Sequence, residues 1–112
     1  MGFSAFSANQ FGASVASGDF DADGLDEMAC APGPGPGASF PPRFVGFNFD
    51  GASVTSLPGF DVTASSTTSY GGRAGAGDVT GDARDELVAG EGRDPTADAT
   101  VHPYHYTGND LV

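Results

Sequence analysis

Lysine and tryptophan are missing from this chain, and cysteine occurs once, at Cys30. A lone thiol closes no internal disulfide. Cys30 lies among small apolar residues that read as a strand, where a free thiol is buried and inert. Positive charge is scarce: 4 Arg face 15 Asp and Glu, for a formal net charge of −11. Such a surface repels phosphate backbones and anionic lipid, so no nucleic acid partner is expected. No apolar run approaches ~18 residues, so neither a transmembrane helix nor membrane insertion is expected. The opening Met1-Gly-Phe-Ser-Ala-Phe6 has neither the basic segment nor the long apolar segment of a secretory signal. Charged residues make up only 17%, too few for ordinary disorder despite the many glycines.

What the chain does have is acid in two places. The first is Asp19-Phe-Asp-Ala-Asp-Gly-Leu-Asp-Glu27, the second Asp78-Val-Thr-Gly-Asp-Ala-Arg-Asp-Glu86, 59 residues further on. Ca²⁺ takes six to eight oxygens at about 2.3–2.6 Å. The first loop offers the carboxylates of Asp19, Asp21 and Asp23 at alternate positions, then the Leu25 carbonyl and the Glu27 carboxylate. Gly24 stands where the chain must turn sharply. The loop holds no Cys or His, which argues against zinc. An EF-hand needs an acid at the twelfth position, where Cys30 stands, and helical flanks; here the flanks are glycine-broken and strand-like. The second loop offers Asp78, Thr80, Asp82, the Arg84 carbonyl and Glu86. Thr80 brings only a neutral hydroxyl. Ala83 replaces the turn glycine at a cost on the order of 1 kcal/mol if φ is positive. Two Ca²⁺ sites are expected, the second weaker. Asp26 and Asp85 hold the same repeat position and are expected to bond loop backbone from outside the ion's ligand shell.

The flanks repeat too. Phe11-Gly-Ala-Ser-Val-Ala-Ser-Gly matches Tyr70-Gly-Gly-Arg-Ala-Gly-Ala-Gly. Asp26-Glu-Met-Ala-Cys-Ala-Pro-Gly33 matches Asp85-Glu-Leu-Val-Ala-Gly-Glu-Gly92. Phe47-Asn-Phe-Asp-Gly51 matches Tyr104-His-Tyr-Thr-Gly108, at an offset of 57. Each unit reads as short strands: 14–17, 27–31, 43–49 and a fourth, 53–57 plus 59–63, broken at Pro58; then 73–76, 86–89 and 100–106. Val45, Phe47 and Phe49 alternate onto one face, as do His102, Tyr104 and Tyr106. The fold class is all-β, with four-stranded antiparallel units of propeller-blade type. Gly2-Phe-Ser-Ala-Phe6 looks like Gly59-Phe-Asp-Val-Thr63. The division is therefore 1–10, an outer strand completing a neighbouring blade; 11–69, one full blade; and 70–112, a second blade lacking its outer strand. A propeller needs roughly four to eight blades. Head-to-tail association of identical chains, as a trimer or tetramer, would close the ring.

The run from Phe11-Gly12 through Gly18-Asp-Phe-Asp-Ala-Asp-Gly-Leu-Asp-Glu-Met-Ala-Cys-Ala-Pro-Gly33 resembles the FG-GAP repeat of integrin-alpha-like, VCBS-type propellers in its bacterial form. Tyr70-Gly71 with Gly77-Asp-Val-Thr-Gly-Asp-Ala-Arg-Asp-Glu-Leu-Val88 resembles it again. The resemblance implies a β-propeller with Ca²⁺ in the loop joining the first two strands of a blade, held by the residues named above. It also implies an extracellular or cell-surface parent protein that serves adhesion, sugar binding or scaffolding.

No arrangement for catalysis stands out. His102 and His105 are read as facing opposite ways on one strand, and a loop filled with protein oxygens leaves an ion no open position. The expectation is a non-enzymatic structural or surface-interaction module, with a surface protein or glycan as partner. The alternative is a lectin that uses Phe40, Phe44 and Tyr70 in grooves between blades.

Overall fold

The computed structural model describes residues 2–6, 12–35 and 39–112. Phe11 of the repeat motif, residues 7–10 of the first segment and residues 36–38 of the Pro-Gly run lie outside the described residues.

The described residues form seven strands and no helix: β1 Ala13–Gly18, β2 Glu27–Pro32, β3 Arg43–Phe49, β4 Val54–Thr63, β5 Gly72–Gly77, β6 Glu86–Glu91 and β7 Val101–Tyr104. They build two antiparallel sheets, ordered β1-β2-β3-β4 and β5-β6-β7. Neighbours in sequence are neighbours in space, as short turns between alternating strands favour. β4 corrects the expected break at Pro58, for it runs through as one strand. Its register against β3 instead shifts between Val45 and Phe47. An edge strand accommodates proline because its N–H side needs no ladder partner.

Beyond β7 the chain bends back. His105 and Val112 exchange backbone hydrogen bonds of 2.9 Å in both directions, and Tyr106 bridges Leu111. The first sheet pairs Asn48 with Thr55 and Phe49 with Val54, the same register at an offset of 57. Along Val101–Tyr104 the outer edge of β7 carries no partner strand among the described residues.

The two sheets share one core, and they meet through different faces. The first sheet contributes Ala29, Ala31 and Phe44, joined by Phe20, Leu57 and Phe60; the second contributes Leu87 and Ala89, joined by Tyr106 and Leu111. Repeat equivalence pairs Ala29 with Val88 and Leu87 with Met28, so each sheet presents to the other a face it does not itself receive. The small residues permit the approach. A Cβ on Gly18 would stand 2.9 Å from the Ala76 methyl, and one on Gly72 would stand 2.7 Å from the Phe44 ring. Phe60 meets Phe20 and Tyr106 with ring centroids 5.0 and 5.2 Å apart. Phe44 is therefore core at 0% exposure, not the groove aromatic the sequence suggested. Val45 and Phe47 lie half-buried on the opposite face, and Phe49 is exposed. Cys30 is buried, and its desolvation pushes the thiol pKa up.

The Tyr106 hydroxyl lies 2.7 Å from the Pro58 carbonyl and 2.9 Å from that of Gly108, tying the end of the second sheet to β4. Tyr106→Phe is expected to cost about 1–2 kcal/mol, because it removes the one hydroxyl proton that the two carbonyls share without removing the ring. Urea denaturation followed by circular dichroism measures this; a change within error would mean the contact is not a structural tie.

Candidate metal-binding loop

The first acidic loop leaves β1 at Gly18 and returns as β2 at Glu27. Its backbone is folded by its own carboxylates. Asp19 Oδ1 accepts the Asp23 N–H at 3.0 Å, and Oδ2 accepts that of Gly24 at 3.0 Å. Asp21 Oδ1 also accepts from Asp23, and Asp23 Oδ1 from Leu25 at 2.8 Å. These short-range bonds are why Asp suits a tight loop. Two residues hold left-handed backbone, Ala22 (φ 64°) and Gly24 (φ 89°).

One ligand atom each from Asp19, Asp21, Asp23 and Glu27 lies within 4.8 Å of every other. Oxygens on opposite sides of a calcium ion stand about 4.6–5.2 Å apart, twice the coordination distance, so the four are already at coordinating separations. Leu25, whose carbonyl completes the expected set, lies on the exposed rim of the loop.

Glu27 gives the loop its chemistry. The residue is fully buried. Its Oε2 accepts the Phe20 N–H at 3.0 Å, while Oε1 is buried with no hydrogen-bond partner. Burial, and then the nearby Asp21 carboxylate, push its pKa up to about 7. A buried oxygen without a donor costs ~1–3 kcal/mol. The nearby Asp21 and Asp23 carboxylates add to the upward push on this group's pKa.

The second loop, between β5 and β6, shares the backbone plan. Asp78 accepts the Gly81, Asp82 and Ala83 N–H groups, and Asp82 accepts that of Arg84. Glu86 Oε2 accepts from Val79 at 2.9 Å, matching Glu27 and Phe20. The other oxygen differs. Glu86 Oε1 lies 3.3 Å from the Thr80 hydroxyl and 3.3 Å from His105 Nδ1. The cluster that forms is Asp82, Glu86 and His105, without Asp78. Arg84 turns its guanidinium to the Tyr106 carbonyl at 3.0 Å. Of the residues expected to share an ion here, Asp82 and Glu86 come together with His105, and the Thr80 hydroxyl lies 3.3 Å from Glu86 Oε1.

His105 was not foreseen at this site. Its signal was the 57-residue offset, which aligns it with Asn48 and places it one residue beyond the end of β7. His102 instead faces Glu91 at 3.5 Å, at the other end of β6. The expected weakness of Ala83 also needs correcting. It does take φ 68°, but Gly81 takes φ 81° where the first loop has Ala22. Each loop thus holds one alanine and one glycine in left-handed backbone, in opposite order, and the strain does not separate them.

Asp85 departs from expectation as well. Its carboxylate reaches the other repeat: Oδ2 accepts the Asp19 N–H at 2.9 Å, and the Asp85 N–H donates to the Asp19 carbonyl at 3.0 Å. The first loop is therefore clasped by the second sheet. At the opposite end of β1 is an open cleft of about 600 Å³ where, among the described residues, Tyr70 is the one aromatic ring, set among glycines, Arg73 and Arg93.

The chain matches no protein-family model, no curated protein and no solved structure.

Two predictions arise from the loops. In the ion-free protein the raised Glu27 pKa favours the neutral acid in the folded state. Its contribution to stability is fully present below the ordinary value of 4.5 and is lost as pH rises through about 7. In EGTA, wild type should therefore lose melting temperature relative to Glu27→Gln between pH 5 and 8. Parallel pH profiles for the two proteins would remove Glu27 as the cause. Separately, Ala22→Gly and Ala83→Gly should each stabilise by roughly 0.5–1 kcal/mol, about 2–6 °C in melting temperature, by relieving left-handed strain. Thermal melts in EGTA measure both.

Proposed function

We propose that this chain is a non-catalytic, calcium-stabilised structural or surface-interaction module, its two sheets being adjoining blades of FG-GAP type. The observation that carries this reading is the unpartnered Oε1 of buried Glu27, set among the carboxylates of Asp19, Asp21 and Asp23. The donor set is all oxygen and mostly charged, the chemistry that selects Ca²⁺ over softer metals. The ion's role is to remove carboxylate repulsion and hold the turn between β1 and β2. The second loop is the weaker site, because Thr80 and His105 already engage Glu86 Oε1. The two histidines lie beside carboxylates on β6.

The extracellular setting rests on the sequence resemblance, and the glycan alternative also on the aromatic residues Phe40, Phe44 and Tyr70. Phe44 is sealed in the core, and among the described residues the cleft at Tyr70 offers a sugar a single ring.

Ca²⁺ that binds only the folded chain stabilises it by RT ln(1 + [Ca²⁺]/Kd), about 2.7 kcal/mol at a hundredfold excess over Kd. The melting temperature should rise with added calcium, fall on EGTA, and lose most of its response in Asp21→Ala. The corresponding change in the second loop, Asp82→Ala, should leave most of the response intact. A melt indifferent to chelator would refute a structural ion.

A further inference from the structure

The two sheets meet through non-equivalent faces, so among the described residues much of the face that one sheet buries is uncovered on its repeat-mate, although Cys30, mate of Ala89, is buried and Phe3 packs on Phe47. The comparison can be made residue by residue. Phe20 is 0% exposed in the interface, and its mate Val79 is 60% exposed. Phe44 is 0% exposed, and its mate Val101 is 66% exposed. Gly18 has the Ala76 methyl and the Asp85 carboxylate at 2.9 and 3.0 Å from its would-be Cβ; around its mate Gly77 there is nothing within 4 Å. Asp85 clasps the backbone of Asp19, while its mate Asp26 is exposed, with no hydrogen-bond partner among the described residues. On the other side, Leu87 is wholly buried where its mate Met28 is half-buried, and Ala74 is half-buried where Val15 is 58% exposed.

We infer that the outward face of the second sheet docks the outward face of the first sheet of a second copy of this chain, repeating between chains the contact already made within one. The free surfaces match because they are the two halves of that interface: Val79, Val88 and Val101 on one copy, Val15, Met28 and Phe47 on the next. Asp26 of the second copy accepts the Asp78 N–H of the first, as Asp85 accepts that of Asp19. Residues 2–6 of the second copy come alongside the free edge of β7, as Gly59–Thr63 lies beside Arg43–Val45 in the first sheet. Phe3 already packs on Phe47 at 5.0 Å, much as Phe60 packs on Tyr106. The contact is head to tail, so copies add in one direction until the rotation closes. The second acidic loop gains from the neighbour the clasp that the first loop has within the chain. The inference rests on the blade reading above but not on the ion.

Light scattering coupled to size exclusion tests it, on the full chain with calcium present. Wild type should run at whole multiples of 11.2 kDa. Gly77→Val places a side chain where the single chain has open space and the docked neighbour would press, and Asp26→Ala removes the clasp. Each should weaken association by at least ~10-fold while leaving the far-ultraviolet spectrum unchanged. Gly18→Val, on the buried mate, should instead disrupt the fold. Wild type that stays at 11.2 kDa at every concentration overturns the inference, as do Gly77→Val and Asp26→Ala proteins that assemble like wild type. A monomer that still melts higher in calcium would overturn the association and leave the ion reading standing. An assembly indifferent to calcium would do the reverse.

Discussion

The stacking of the two sheets is the constraint on which the rest depends. The buried apolar residues other than Cys30 form one cluster shared by the two sheets. That contact demands small residues at Gly18 and Gly72, rings at Phe44 and Phe60, and a polar clasp at its rim, where Asp85 takes the Asp19 backbone. The clasp fixes the first residue of the acidic loop. Packing between sheets and the geometry of the loop are thus one problem, joined at Asp19.

The loop then bears a cost that packing alone does not relieve. Glu27 sits at the end of a buried strand with one oxygen bonded to Phe20 N–H and the other to nothing. The second loop solves the same problem with protein groups, Thr80 and His105. Two copies of one turn have therefore diverged in how they compensate a buried carboxylate. One leaves an oxygen without a hydrogen-bond partner, while the other brings in a hydroxyl and an imidazole.

Much of this was legible in the sequence. The repeat offset placed all seven strands to within a few residues, and the Asp-x-Asp-x-Asp-Gly-x-x-Glu spacing named the four carboxylates that converge. Local bonding makes such loops readable, because Asp folds the backbone it belongs to. What escaped was long-range. Strand alternation around Val45 and Phe47 pointed to one face of β3, but the more deeply buried face carries Phe44, because a stacked sheet is covered on the side its neighbour occupies. Asp85 looked like a residue serving its own loop and serves the other. His105 looked like a strand residue and sits beyond the strand, against Glu86. Proline at 58 looked like a break, yet on an edge strand it is tolerated and the irregularity falls at Val45–Phe47.

The inequality of the stacked faces has a further consequence. A surface that pairs with itself produces symmetric dimers that stop; one that pairs with a different surface gives every copy a leading and a trailing end. A chain spoiled on one end only keeps the other intact. If chains associate through these faces as proposed above, such a chain added in small amounts to unaltered ones would be taken up and nothing could follow it. Polarity of this kind makes the ends of an array, rather than its bulk, the place where growth is controlled.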